Sequence, residues 1–363
     1  MKFKCERDVL VESLSIAGRA VSTRTTHPGL SGIQAQLKGD ELSLTGSDMD
    51  LTITATITVN GEADGSAVIP ARLAADIVKA VQPGAVSFAA EEHSLKIEAG
   101  RSEFSIRLIS SDEFPRVAID DTEPVTLNSQ QLSDALSQVV LAASKDDSRP
   151  ILTGVLLAAE DSGLRLVATD SYRLALRDVP EASVLSEGQS VLVPSAALRE
   201  LTRVLAQDET VLLRLGEREA AFDVGNVRLV TRLIEFDFPN YQGLIPKSHP
   251  NQLTVNRAEL LDALRRVRLL ARESTPIRIE MSDEGMELIA VTQDVGNARE
   301  RLESAYDGSE LTVAFNPQFL LEGVEVIKAE EVTLATIDEL KPAVLRGVGD
   351  EDFLYLLMPV RVS

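Results

Sequence analysis

The feature that most constrains the fold is a threefold internal repeat. Three short apolar strings each run into a proline, at residues 68–78, 192–202 and 313–323. Pro70, Pro194 and Pro317 lie 124 and 123 residues apart, close to the 121 residues that make one third of the 363-residue chain. Each string predicts a β-strand followed by a helix with proline near its first turn, where the missing N–H breaks no helical hydrogen bond.

A second helix recurs in each repeat. Apolar residues at helical spacing predict helices over residues 7–20, 130–145 and 256–273, and the helices led by proline are predicted over 71–81, 195–207 and 317–329. Alternating apolar and polar residues between them predict half-buried strands, separated by turns rich in Gly, Asn and Asp. The sequence therefore predicts an α+β fold with two helices and about eight strands per repeat, in domains at residues 1–121, 122–248 and 249–363.

Composition excludes several classes of protein. The chain has one cysteine, Cys5, and three scattered histidines, so it offers neither an internal disulfide nor a familiar metal-ligand spacing, and we expect no metal and no cofactor. No stretch approaches the ~20 uncharged apolar residues of a membrane span. The N-terminus meets charged residues at once, which is unlike a secretory signal. We therefore expect a cytoplasmic protein.

Charge is distributed unevenly along the chain. The net charge is −21, yet the six predicted helices together carry +3, so the other residues carry −24. The densest basic cluster includes Arg265, Arg266 and Arg268, and Arg199 and Arg203 lie one turn apart on another helix. We expect these helices to face an anion. No helix-turn-helix, zinc finger or RNA-binding aromatic motif accompanies them, so attraction to a nucleic acid backbone would be independent of base sequence.

No set of residues in the sequence predicts catalysis. Asp48 and Asp170 are the residues that a hydrolase could use, but no histidine lies within forty residues of Asp170. Turn and capping roles explain both aspartates better. Two alternatives remain open beside a DNA-binding function: an acidic scaffold that binds partner proteins without DNA, and, more remotely, a hydrolase.

Short motifs along the whole chain resemble one family. They are Met1-Lys2-Phe3, Leu44-Thr45-Gly46-Ser47-Asp48, Val68-Ile69-Pro70-Ala71-Arg72, Ala168-Thr169-Asp170-Ser171-Tyr172-Arg173-Leu174, Phe238-Pro239-Asn240-Tyr241 and Met358-Pro359-Val360-Arg361. In this order they resemble the bacterial sliding clamps, the β subunits of the replicative DNA polymerase III holoenzyme. The resemblance implies three domains of one fold per chain and a homodimeric ring around double-stranded DNA, with helices lining the hole.

The resemblance also implies partners and a site for them. The expected partners are the DNA polymerase III alpha subunit, the clamp loader, and other polymerases and repair proteins that carry clamp-binding peptides. Their hydrophobic pocket would comprise Leu152, Thr169, Ser171, Tyr172, Arg173, Leu174, Pro239, Leu244, Asn316, Phe319, Met358, Pro359, Val360 and Arg361. Gly243 departs from the basic residue that some relatives have at its position.

Further residues match basic and interface positions of the family. Arg24, Arg72 and Arg149 match basic positions near DNA, whereas Pro150-Ile151 replace aromatic residues that contact DNA in some relatives. The resemblance implies a dimer contact between the first domain of one chain and the third of the other, strand edge to strand edge. The candidates are Leu73, Phe104, Ile106 and Leu108 on one side and Leu269 and Leu270 on the other.

Overall fold

The computed structural model describes residues 1–22, 27–110, 114, 122–160, 163–180, 182, 184–235, 237–271, 275–293 and 295–361. Within it the chain forms two compact units. Unit 1 comprises Met1–Gln130 and Ala197–Leu233, and unit 2 comprises Gln131–Ala196 and Ile234–Ser363. The two units do not coincide with the three sequence repeats, because strands of the second repeat contribute to the sheets of both.

The first repeat lies in unit 1 and has two helices over a buried core. Its elements are β1 Lys2–Glu6, α1 Arg7–Gly18, β2 Gly32–Lys38, β3 Glu41–Ser47, β4 Leu51–Thr58, β5 Asn60–Ala63, β6 Gly65–Pro70, α2 Ala71–Ala80, β7 Ala85–Ala90, β8 Ser94–Ala99 and β9 Ser102–Arg107. Phe3 and Phe88 stack in the core with ring centroids 5.2 Å apart. Leu10 and Leu14 of α1 join the same core, as their helical spacing predicts.

The second repeat follows the same order of elements, with one strand fewer between its two helices. They are β10 Val125–Asn128, α3 Ser129–Val139, β11 Gly154–Glu160, β12 Gly163–Thr169, β13 Arg173–Pro180, β14 Ser190–Pro194, α4 Ser195–Val204, β15 Thr210–Leu215, β16 Glu219–Val224 and β17 Val227–Arg232. The Leu192 side chain of β14 packs over Gly154 of β11, where a Cβ would lie 2.7 Å from it. Short 3-10 turns extend α3 over Val140–Ala142 and α4 over Leu205–Gln207.

The third repeat lies in unit 2. Its elements are β18 Asn251–Asn256, α5 Arg257–Val267, β19 Ile277–Ser282, β20 Gly285–Thr292, β21 Gly296–Leu302, β22 Ser304–Asp307, β23 Leu311–Phe315, α6 Pro317–Val326, β24 Glu331–Thr336, β25 Ala343–Gly347 and β26 Phe353–Leu357. Asn256 and Asn316 cap α5 and α6, because each side-chain oxygen accepts backbone N–H groups of the first turn. Pro317 stands at the start of α6, where its ring is tolerated.

Among the described residues, two of the four sheets join neighbouring repeats. In unit 1 the order is β10-β15-β16-β17-β4-β3-β2-β6, and in unit 2 it is β14-β11-β12-β13-β26-β25-β24-β18-β22. In each, the last strand of one repeat pairs antiparallel with the fourth strand of the preceding repeat, β17 with β4 and β26 with β13. The other two sheets, β5-β1-β7-β8-β9 and β21-β20-β19-β23, each belong to one repeat.

The six predicted helices are confirmed as elements, but each ends before its predicted C-terminal residue. The helix predicted over 256–273 ends at Val267 and continues only as a 3-10 turn, Arg268–Leu270. Those predicted to reach 145 and 207 end at Val139 and Val204. Apolar spacing continues through a final 3-10 turn although the hydrogen-bonding pattern tightens, so periodicity alone places the ends too late.

Candidate functional site

The candidate site in unit 2 begins at the hairpin between β12 and β13. Ser171 has φ +82°, in the left-handed region, which turns the chain sharply. One carboxylate oxygen of Asp170 accepts the backbone N–H groups of Tyr172 at 2.9 Å and of Arg173 at 3.0 Å. Thr169 Oγ1 accepts the N–H of Ser171 at 3.2 Å. Asp170 is therefore a turn-capping residue here, and these contacts leave Tyr172 at the tip, 61% exposed.

The end of the chain runs beside this hairpin. The backbone N–H of Met358 donates to the carbonyl of Tyr172 at 2.9 Å. Two residues later, the N–H of Val360 donates to Ala314 O on the edge strand β23 at 2.8 Å. The chain after β26 thus crosses from one sheet to another within unit 2. Met358 and Val360 both keep exposed apolar side chains there.

An apolar cluster lies next to the hairpin. Its buried members come from several strands and from the segment after Phe238: Val167, Leu174, Leu176, Tyr241, Val344, Leu354 and Leu356. Phe238 and Ile245 pack against the cluster, and Leu244 between them in sequence stays exposed. An apolar floor with exposed apolar side chains at its margin is the arrangement that short peptide segments use for their anchor residues.

The start of α6 lies next to the hairpin, where Phe319 contacts Arg173. Asn316 Oδ1 accepts the N–H groups of Gln318 at 2.9 Å and Phe319 at 3.2 Å, which fixes the first turn. The Phe319 ring is half-buried, and the guanidinium carbon of Arg173 lies 4.2 Å from its centroid. Pro239 is half-buried on the segment before Tyr241.

Unit 2 therefore contains every predicted pocket residue, but in three environments. Six are exposed, namely Ser171, Tyr172, Leu244, Met358, Val360 and Arg361. Four are half-buried, namely Pro239, Asn316, Phe319 and Pro359, and four are buried, namely Leu152, Thr169, Arg173 and Leu174. We call the surface bounded by Tyr172, Leu244, Phe319, Met358 and Val360 the partner groove. The buried residues can support this groove but do not offer it an open surface.

The sequence did not predict two sets of residues near the groove. Tyr355 and Glu322 contact Arg173 from β26 and α6. In addition, a cleft of about 600 Å³ places the predicted Val360 and Arg361 beside five residues that were not predicted, namely Arg278, Thr312, Ala314, Glu339 and Leu340. No spacing in the sequence marks these residues, because sheet pairing brings them together over long chain separations. The continuous apolar run Phe353–Leu357, which is typical of a strand buried on both faces, is a signal that could have suggested the floor.

Arg173 forms a buried polar centre in this region. Its side chain is only 8% exposed and donates to Asp170 Oδ2 at 3.0 Å, to Leu141 O at 2.7 Å and to Glu322. It also donates to the hydroxyl of Tyr355 at 3.1 Å. Burial opposes the charge, but Tyr355 and Glu322 outweigh it and raise the pKa of Arg173 above its ordinary value. Burial raises the pKa of the Tyr355 hydroxyl, because it disfavours the charged phenolate.

Most arginines proposed to face DNA already contact a carboxylate. Arg203 donates to both oxygens of Glu200 at 2.7 and 2.9 Å. Arg265 lies 3.1 Å from Glu325, and Arg266 pairs with Glu300. These partners lie on the same surface, so the arginines present less net charge than their number in the sequence suggests.

The remaining basic candidates differ in exposure. Arg72 is exposed on α2 with Asp76 3.9 Å away, and Arg149 is 2.9 Å from Asp146. Burial lowers the pKa of Arg199, which is half-buried on α4. Arg268 is exposed, and in the described part of the chain no carboxylate lies within ion-pair distance of it. Arg24 lies outside the described residues.

The proposed dimer residues lie on or just after the edge strand β9, on α2, and in the 3-10 turn that follows α5. Phe104 and Ile106 belong to β9, and with Leu108 they pack against the core of the first repeat. Leu73 on α2 is 49% exposed. Leu269 is 83% exposed, so it is not a core residue, whereas Leu270 is half-buried.

The described residues offer no other site of an obvious chemical kind. They contain no cluster of three His, Cys, Asp or Glu side chains that could hold a metal ion. In the same ranges, no helix combines the length and the apolar character needed to cross a membrane. Asp48 and Asp146, like Asp170, accept backbone N–H groups of their own turns.

Family comparisons match nearly the whole chain. The DNA polymerase III beta subunit N-terminal domain matches residues 1–118, the central domain matches 126–240 and the C-terminal domain matches 242–361. The chain is 32% identical over 377 aligned positions to the beta sliding clamp of Staphylococcus aureus strain Mu50, covering 99% of both chains.

Solved structures show the same similarity in three dimensions. The DNA polymerase sliding clamp of Bacillus subtilis superimposes with a TM-score of 0.93 at 32% identity, over 100% of both chains. The sliding clamp of Bartonella birtlesii bound to griselimycin superimposes with a TM-score of 0.95 at 29% identity, again over 100% of both chains.

Proposed function

The chain belongs to the DNA polymerase III beta subunit family and is a DNA sliding clamp, and we propose that it tethers its partners through the partner groove. The partners would be the polymerase III alpha subunit, the clamp loader, and other polymerases and repair proteins with clamp-binding peptides. It would act without catalysis, in the cytoplasm, where chromosomal DNA is replicated. The acidic scaffold that does not encircle DNA is not favoured by the family match.

The observation that carries the groove is its combination of an apolar floor and an exposed apolar margin. The floor is the buried cluster around Leu174 and Leu356, and the margin includes Tyr172 and Met358, which are linked through their backbones. Exposed aromatic and methionine side chains over such a floor suit short extended peptides with aliphatic or aromatic anchors. The Bartonella birtlesii clamp was solved bound to griselimycin, which agrees with a ligand-binding surface in this family.

Strand order supports closure by a second copy. Within the chain, the last strand of a repeat pairs with the fourth strand of the preceding repeat. Two strands keep these positions without such a partner among the described residues: β9, the last of the first repeat, and β21, the fourth of the third repeat, both at sheet edges. We propose that β9 of one chain pairs with β21 of another, which would also cover Leu73 and Leu269 and close six repeats into a ring.

The arginines support loose rather than tight DNA contact. Several are paired with carboxylates, and the whole chain carries −21. Counterion release gives strong binding only when many phosphates are neutralised together. A protein of this kind would stay on DNA because it encloses the duplex, and weak contacts would let it slide.

Loading on circular DNA tests this function. Protein loaded by a clamp loader on nicked circles should stay for many minutes at a salt concentration that abolishes direct binding. It should leave within seconds when the circle is cut, because the protein can then slide off an end. Gel filtration before and after linearisation measures the retention. Equal retention on both forms would contradict enclosure and favour direct contact.

A further inference from the structure

Arg173 links the hairpin to α6 through side chains that do not line the groove. Its Nε bonds Asp170, the residue that caps the hairpin, and its Nη1 bonds Glu322 of α6. Glu322 in turn accepts a hydrogen bond from Gln318 in the first turn of α6. One guanidinium thus connects the turn that presents Tyr172 with the helix that presents Phe319.

Tyr355 provides a second connection to the same helix. Its hydroxyl accepts from Arg173 Nη1 and donates to the carbonyl of Phe319, both at 3.1 Å. The tyrosine is fully buried beneath α6, where Gly323 allows a very close approach: a Cβ at that position would lie 2.4 Å from the Tyr355 ring. Tyr355 therefore reaches the backbone of Phe319 without touching solvent.

We propose that Arg173 and Tyr355 are positioning residues for the partner groove, and that neither contacts the peptide. This inference rests on the proposed function of the groove. The Arg173 side chain is 8% exposed, and four of its five N–H groups have partners within unit 2. A guanidinium so fully engaged holds its neighbours in one geometry. The two margins of the groove are thereby kept in place before a peptide arrives, which lowers the ordering cost of binding.

A pair of peptides separates positioning from direct contact. Both contain a glutamine-leucine anchor motif, and they differ only in their flanks, which are acidic in one and neutral in the other. Affinity is measured by fluorescence anisotropy for Arg173→Lys, Tyr355→Phe and the control Arg177→Lys. Arg177 lies on the same strand, pairs with Asp350 at 2.8 Å and is remote from α6 in its contacts.

We expect Arg173→Lys and Tyr355→Phe each to weaken both peptides by the same factor, about tenfold, as loss of a charge-assisted or buried hydrogen bond implies. Arg177→Lys should leave both affinities unchanged. Hydrogen exchange should rise in Tyr355→Phe at the amides of Tyr172, Arg173 and Phe319, and stay unchanged in the rest of unit 2.

Three results would overturn the inference. Weakening of the acidic peptide alone by Arg173→Lys, with Tyr355→Phe unaffected, would show direct contact and overturn the inference. A general rise of exchange throughout unit 2 would indicate a merely structural role and overturn it as well. Wild-type protein that binds neither peptide would overturn the groove itself, and the role of Arg173 with it. Tyr355→Phe removes one oxygen atom only, so it tests the inference even if Arg173→Lys does not fold.

Discussion

The β3–β4 hairpin of unit 1 and the β12–β13 hairpin of unit 2 have the same backbone conformation at their turns. Met49 and Ser171 both have positive φ, +81° and +82°. Asp48 and Asp170 each cap the turn by accepting the backbone N–H groups two and three residues later. The duplicated sequence has therefore kept the turn geometry in two repeats, and a difference in function between them must come from side chains.

The exposed side chains of the two hairpins differ in chemistry. In unit 1 the N–H of Arg232 donates to the carbonyl of Asp50 at 2.9 Å, and in unit 2 Met358 and Tyr172 make the same contact at the same distance. The first pair is ionic, with the side-chain atoms 4.0 Å apart, and the second is apolar. The pair in unit 2 forms an exposed apolar surface, whereas the pair in unit 1 is charged, although Met49 beside it is exposed. The hairpin scaffold alone therefore does not produce a peptide site.

The interiors differ as well. Leu51 occupies the position of Arg173, and Leu229 occupies that of Tyr355, since Val230 pairs with Thr52 as Leu356 pairs with Leu174. Arg19 in unit 1 lies 3.9 Å from Glu200 of α4, and its side chain is more exposed than that of Arg173. Among the described residues, a buried polar link between hairpin and helix therefore accompanies the apolar surface and is absent where the surface is charged.

The largest effect should follow from exchanging the exposed pair. Tyr172→Asp combined with Met358→Arg gives the unit 2 hairpin the chemistry of unit 1 and should weaken a glutamine-leucine peptide by about 100-fold or more, because central aromatic and apolar anchors dominate such interfaces. Calorimetric titration measures it. The matched control, Asp50→Tyr with Arg232→Met, should leave affinity and stoichiometry unchanged. A comparable loss in the control would contradict the assignment of the groove to unit 2.

An intermediate effect should appear at alkaline pH. Burial raises the pKa of Tyr355 above its ordinary value of about 10, so above that pH the unfolded chain releases a proton that the folded protein retains. The contribution of Tyr355 to the free energy of unfolding is therefore complete below about pH 10. Above that pH the free energy of unfolding falls by up to about 1.4 kcal/mol per pH unit.

Urea unfolding of wild type and Tyr355→Phe at several alkaline pH values checks this expectation. The free energy of unfolding of Tyr355→Phe should fall less at alkaline pH than that of wild type. Phenylalanine, like Leu229 at the equivalent position, has no proton to release. Tyr172→Phe, at an exposed tyrosine, should behave as wild type does. Parallel curves for wild type and Tyr355→Phe would contradict the burial of the phenol.

The smallest effect should be shared by both hairpins. Met49→Gly and Ser171→Gly should each raise the free energy of unfolding by no more than about 1 kcal/mol, because glycine adopts positive φ without the Cβ clash while losing more entropy on folding. Denaturant midpoints measure both. Ser87→Gly, in the extended strand β7, should lower stability instead. Opposite signs for the two hairpin variants would contradict their common backbone.

Much of the fold could be predicted from sequence. The starts of α1, α2, α4 and α6 agree with the predicted positions, because proline and apolar spacing are local signals. The site was predicted less completely. Its residues came from motif resemblance, which identified the exposed Tyr172 and Met358 together with the buried Arg173 and did not distinguish their environments. The domain boundaries at residues 121 and 248 stay predictions.

The sequence by itself determined the threefold repeat, the order of elements and the excess of basic residues on the helices, since each is encoded in neighbouring residues. Only the tertiary structure decided which arginines keep a free charge and which side chains surround Arg173. Its partners Leu141, Glu322 and Tyr355 lie 32, 149 and 182 residues away along the chain. Sheet pairing and helix packing bring them together, and local periodicity carries no information about such distant contacts.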